Sequence, residues 1–131
     1  MFRKISKTVT LLARSTITKY QNNIAPELIE PATKELEKIN TFEFNIFELD
    51  KLFGKKCLFH VLNEILNQYN YIDDHLVEKK YVNFINEISE GYNRDIPYHN
   101  DLHATDVLQT THLIILKSNL AKVYNLFKEI K

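Results

Sequence analysis

The chain has 131 residues, 44% of them apolar, and its 17 basic and 17 acidic side chains leave no formal net charge. That length suits one compact domain burying about two-thirds of its unfolded surface, and the charge balance makes no electrostatic case for nucleic acid or an anionic membrane. With two glycines, three prolines and a single cysteine, turn formers are few and no internal disulfide can form, which points to a helical chain in a reducing compartment.

In chain order, the first stretch is basic. Arg3, Lys4, Lys7, Arg14 and Lys19 precede the first acid, Glu27, and Ile5, Val9, Leu12 and Thr16 recur at helical spacing. Residues 1–20 therefore read as an N-terminal helix, either a basic amphipathic helix that docks on a partner or a mitochondrial transit-type segment. Gln21 to Pro31 holds two prolines and two adjacent asparagines and reads as a linker. Thr33 to Ile39 reads as a short charged helix. The expected division is a basic helix and linker over 1–39 and a helical domain over 40–131. No apolar run approaches the ~20 residues of a membrane span, so no transmembrane segment is expected. The cytoplasm or an intracellular assembly is the expected compartment, with the mitochondrion as the alternative.

From residue 40 the apolar density rises. Asn45 reads as a helix cap with Glu48 completing a capping box, and Gly54 as the stop. Lys56 to Tyr69 carries Leu58, Phe59, Leu62, Ile65, Leu66 and Tyr69 on one stripe, with Cys57 as a small core residue. Asp73 to Glu90 places Leu76, Val77, Tyr81, Phe84, Ile85 and Ile88 inward, and Gly91 ends it. After an irregular loop a helix is expected from Pro97 to Lys117, broken at Ser118. A last helix carries Leu120, Val123, Tyr124, Phe127 and Ile130. No segment sustains a period-two alternation, so the fold is read as all-α.

The chemistry concentrates in Tyr98–Gln109. On a helix, His99 and His103 stand at i and i+4, one turn apart on one face, where one imidazole can ligate a metal and the other can donate a proton. Asp106, at i+3 from His103, can orient an imidazole. His112 lies nine residues past His103, about 180° round the helix, and should face away. Two histidines so spaced also arise on ordinary helices, and the zincin pattern is absent because Asn100, not glutamate, follows His99. His60, among apolar neighbours, and His75, beside Asp73 and Asp74, read as structural or solvated.

The surrounding letters say more. Pro97-Tyr98-His99-Asn100, then His103-Ala104, Asp106-Val107 and Gln109, resemble the signature of the class I 3′,5′-cyclic nucleotide phosphodiesterases of the HD superfamily. Phe44–Leu49, Asn83-Phe84 and Gly91-Tyr92 upstream, and Thr110-Thr111-His112 downstream, fit the same family, so the resemblance covers residues 40–131. It implies a partial phosphodiesterase-type helical bundle preceded by an extra N-terminal helix. It implies His103 as a ligand in a binuclear zinc–magnesium centre and His99 as the general acid that protonates the leaving ribose oxygen. Tyr98 would line the nucleotide pocket, and Asn100 and Asp106 would support the site. The metals clamp the phosphate during in-line displacement, and an imidazole supplies the proton.

The resemblance also sets an expectation of incompleteness. The family's His-Asp pair, a later metal-binding aspartate and a purine-holding glutamine have no counterpart after His103. Zinc and magnesium are therefore not expected to bind stably to this chain alone, nor cyclic nucleotides to be hydrolysed by it. Three readings stand: part of an active phosphodiesterase, a catalytically dead phosphodiesterase-like subunit of a complex, and a helical domain with a chance motif. The apolar stripe over 112–131 is expected to be covered by other protein chains.

Overall fold

A computed structural model describes residues 25–69, 78–118 and 120. The expected helix over 1–20 and the last helix beyond Leu120 lie outside these residues, as do His75, Leu76 and Val77. Five α-helices are formed among the described residues, with no strand: α1 Pro26–Leu36, α2 Ile46–Phe53, α3 Cys57–Gln68, α4 Glu78–Gly91 and α5 Asp101–Lys117. A 3₁₀ turn, Gly54–Lys56, joins α2 to α3. The fold is all-α, as expected.

The linker expected over 21–31 is helical from Pro26 on. Helix α1 starts at Pro26, where proline at the first position lacks only a donor that has no intrahelical partner anyway. Pro31 sits inside the helix and removes one backbone bond. It lies on the exposed side, while Ala32, Leu36 and Ile39, at helical spacing, are wholly buried. These three join Ile46, Leu49, Cys57, Val61 and Ile65 in one core cluster. Burying such side chains is worth about 1.5–3 kcal/mol each, which outweighs the one lost hydrogen bond. Of the short helix expected over 33–39, residues 33–36 thus end a longer one and 37–39 form a turn, packed into the same core as α2 and α3.

The cap of α2 is built differently from a capping box. Asn45 accepts from the Phe47 N–H at 3.0 Å, as expected of an N-cap. Glu48, however, turns outward to Lys51 at 2.6 Å. The Asn45 N–H donates to Oε1 of Glu35 on α1 at 2.6 Å, so a tertiary contact replaces the local one. Gly54 ends α2 at φ 54° and ψ −135°, a conformation that only glycine adopts without strain.

Helix α3 is the central element, packed mainly on α5 and also against α2 and α4. It is buried nearly all round rather than along one stripe: Cys57 to Val61 and Asn63 to Ile65 are buried, and Tyr69, expected inward, is 43% exposed. Cys57 is a core residue, as expected, and burial pushes its thiol up to about 12. His60 is structural: its ring stacks on Phe53 at 3.9 Å, and burial lowers its pKa to about 3. On α4, Tyr81 and Ile85 bury against Phe59, and the Tyr81 hydroxyl donates to Asn63 Oδ1 at 2.9 Å. Phe84 and Ile88, also expected inward, are exposed. They lie three residues from Tyr81 and Ile85, on a face that this cluster does not reach.

Helix α5 buries a polar face. Asp101, Thr105, Gln109 and His112 are buried at near-helical spacing, with Leu113 beside them. The apolar run that follows is mostly outside: Ile114, Ile115, Leu116 and Leu120 are exposed. Ser118 ends the helix, its N–H donating to the Ile114 carbonyl at 2.9 Å. No helix of the described residues is long and apolar enough to cross a membrane.

Candidate active site: a histidine cleft at the start of α5

The helix expected from Pro97 begins at Asp101. Residues 92–100 form an irregular loop, and Asn100 is the N-cap of α5, its Oδ1 accepting from the His103 N–H at 3.1 Å. Its Nδ2 donates back to the Ile96 carbonyl at 3.0 Å, so one side chain joins loop to helix. His99 therefore precedes the helix and does not share a helical face with His103. An asparagine with a free side-chain acceptor favours the cap over helix interior, and this places the boundary four residues later than expected.

The two imidazoles still come together, through the loop's turn. Their centroids are 6.4 Å apart, and Tyr98 lies between them, 5.1 Å from His99 and 4.2 Å from His103. Tyr98 and His103 line a cleft of about 250 Å³ with Ile46 and Phe47 of α2, Pro97 and Asn100 of the loop, and Leu102 and Asp106 of α5. Tyr98 and His99 are exposed and His103 is half-buried. Asp106 is exposed on the cleft wall and makes no hydrogen bond to His103 among the described residues. His112 faces elsewhere, as its spacing requires.

Neither nitrogen of His103 is engaged in a hydrogen bond among the described residues, so the imidazole is free to ligate. One uncommitted imidazole suits a single corner of a metal site. Nowhere among the described residues do three His, Cys, Asp or Glu side chains gather closely enough to hold a metal ion.

The spacing of residues did not reveal two polar clusters, one beside the cleft and one on the far side of α5. Arg94 bridges two carboxylates: Nη1 donates to Asp50 Oδ1 at 2.7 Å, while Nε and Nη2 form a fork on Asp101, with the Nε bond at 2.8 Å. Asp101 is wholly buried, and the pair raises the Arg94 pKa further. Acid at the first turn of a helix is favourable by itself, so nothing local in the sequence announces a partner seven residues back or one on α2. Behind α5, Gln109 Nε2 donates to the Ile39 carbonyl at 2.7 Å. Asn40 Nδ2 donates to Gln68 at 3.0 Å, leaving its Oδ1 to accept from His112 Nε2 at 2.7 Å. His112 is then the Nε2–H tautomer, and its Nδ1 accepts from the Tyr69 hydroxyl at 3.3 Å. Burial lowers the His112 pKa, in keeping with a neutral ring.

Cyclic nucleotide phosphodiesterases align with the chain, among them the following three. A cGMP-inhibited 3′,5′-cyclic phosphodiesterase 3A of Mus musculus is 34% identical over 117 residues, 81% of this chain and 10% of the relative. Its Homo sapiens counterpart is 38% identical over 96 residues, 65% of this chain and 8% of the relative. A dual specificity calcium/calmodulin-dependent 3′,5′-cyclic nucleotide phosphodiesterase 1C of Mus musculus is 32% identical over 88 residues, 66% of this chain and 12% of the relative. The chain thus spans about a tenth of the length of these relatives. No family model matches the chain, and no solved structure does. With an all-α fold in which Tyr98 and His103 line one cleft and His99 lies beside Tyr98, this similarity shows that the chain carries part of a 3′,5′-cyclic nucleotide phosphodiesterase domain.

Proposed function

We propose that this chain supplies one side of a metal-dependent 3′,5′-cyclic nucleotide phosphodiesterase site and is inactive unless residues beyond the described ones complete the ligand set. The observation that carries the reading is the ring cluster of Tyr98, His99 and His103, with Tyr98 and His103 lining one cleft, in a chain similar to such enzymes. His103 would hold the zinc of a zinc–magnesium pair, with both imidazole nitrogens available. Bound there, the metal would supply Lewis-acid activation of the phosphate. Tyr98 offers a ring face at the rim for a nucleobase. His99, exposed beside it, is placed to give a proton to the departing ribose oxygen. Asn100 holds the His103 backbone in the first turn, and Asp106 adds an acceptor on the cleft wall.

The test is a zinc titration of the full chain followed by the histidine ring signals. His103 should respond first, and His103→Ala should abolish that response. With zinc and magnesium, neither cyclic AMP nor cyclic GMP should be hydrolysed by the chain alone. A zinc response that begins at another histidine and survives in His103→Ala would sink the reading, and so would turnover by the isolated chain that disappears in His99→Ala.

A second reading is favoured by one observation, the exposed run Ile114, Ile115 and Leu116 with Leu120. In it, the chain is a phosphodiesterase-like subunit without activity, held in a larger assembly whose other protein chains cover the 112–131 face. Exposed apolar runs of this kind favour association, and zero net charge opposes it little. Sedimentation decides: a soluble monomer that leaves the dye ANS dark would count against it.

A further inference from the structure

We propose that Arg94 is a positioning residue for the cleft, holding the Tyr98–His99 loop against both walls at once through Asp50 on α2 and Asp101 on α5. The cleft is assembled from three separate elements: the start of α2 with Ile46 and Phe47, the loop with Pro97 and Tyr98, and the first turns of α5 with His103 and Asp106. Arg94 is the side chain of the loop that reaches the other two. Its Nη1 meets Asp50, one turn after Ile46, at 2.7 Å. Its Nε and Nη2 meet both oxygens of Asp101, two residues before His103.

The loop has little else to hold it. Tyr98 is 62% exposed, and His99 and Pro97 are exposed too. Beyond Arg94, the hydrogen bonds that tie it to other elements among the described residues are those of Asn100 at the α5 end and one from Lys55 Nζ of the 3₁₀ turn to the Tyr92 carbonyl at 3.3 Å, besides the contact of the Tyr98 ring with His103. Asp101 has no exposed surface, so its carboxylate has strong reason to keep the fork, because a buried charge without a partner is costly. The planar guanidinium meets two carboxylates along different edges, which an ammonium cannot do. Geometry is thereby transmitted from a buried anchor to an exposed loop. The consequence for catalysis rests on the phosphodiesterase reading above; the positioning itself does not.

The experiment uses the isotopically labelled full chain, without metal or nucleotide. Two nuclear Overhauser contacts are compared: Tyr98 ring to His103 ring, with centroids 4.2 Å apart, and Tyr69 ring to His112 ring, 5.7 Å apart, on the other side of α5. In Arg94→Lys the first contact should be lost and the second retained. Asp50→Asn, which leaves the Arg94–Asp101 fork in place, should weaken the first by at least half and spare the second. A wild-type Tyr98–His103 contact in either folded variant overturns the proposal. If Arg94→Lys loses both contacts, Asp50→Asn decides alone. Loss of both contacts in both variants also overturns it, since Arg94 would then serve the fold as a whole. The zinc response of wild-type His103 is read separately, so a failed phosphodiesterase reading leaves this result intact and can be told apart from it.

Discussion

Glu64 on α3 has no exposed surface. Its Oε1 accepts from Gln68 at 3.3 Å, and its Oε2 has no hydrogen-bond partner among the described residues. Burial pushes the carboxyl from 4.5 up to about 7, against the pull of the Gln68 bond. The folded chain therefore keeps this proton at pH values where the unfolded chain has released it. Between 4.5 and about 7 the native state binds more protons, so stability falls as pH rises through that window and levels off above it. At about 1.4 kcal/mol per pH unit the full penalty is about 3 kcal/mol. About 2.5 kcal/mol of it develops between pH 5 and pH 8. Glu64→Gln keeps the shape and an acceptor for Gln68 but cannot ionise. Urea unfolding followed by far-UV circular dichroism, run on both proteins at several pH values, isolates the effect, because every other titrating group is common to the two. The stability of the variant relative to wild type should rise by about 2.5 kcal/mol from pH 5 to pH 8. Two parallel stability curves, differing by a constant offset, would refute the argument that Glu64 is ionised at a cost inside the fold.

His60 works in the opposite direction. Its pKa is lowered to about 3 by burial, so the unfolded state gains protons first and stability should fall as pH drops below 6.5. His60→Leu should flatten that limb by about 2–3 kcal/mol between pH 7 and pH 4.5, read from the same unfolding curves. Arg94→Ala leaves the buried Asp101 carboxylate without its fork. The expected loss is about 2–3 kcal/mol, below the range for a fully buried pair because the arginine is 27% exposed. Adding Asp101→Asn should recover part of it in a double-mutant cycle. Asn100→Ala removes the N-cap of α5 and should cost about 1 kcal/mol, with faster amide exchange at His103 as the local sign.

Much of this protein was legible in the order of its residues. Apolar spacing marked the body of α3, and Asn45 marked the start of α2. Gly54, Gly91 and Ser118 marked where helices end, because those signals act within one or two turns of chain. The motif Tyr98 to Gln109 marked the cleft, since the residue types that carry chemistry there are set by the chemistry. What remained hidden depends on partners distant in the chain. Pro31 reads as a breaker until the burial of Ala32, Leu36 and Ile39 outweighs it. Glu48 reads as half of a capping box until Glu35 of another helix takes its place. His99 and His103 were placed on one helical face, whereas the Asn100 cap separates them and the turn of the loop returns them to each other. Phe84 and Ile88 looked like core positions by period alone, but burial requires an opposing surface, and the contacts of α4 fall on Tyr81 and Ile85. The pairing of Arg94 with Asp50, 44 residues away, had no local signature at all. Helical periodicity and capping are properties of neighbouring residues and can be read along the chain. The choice of which charge meets which carboxylate is made only when separate helices are packed side by side, because there the cost of burying an unpaired charge decides the arrangement.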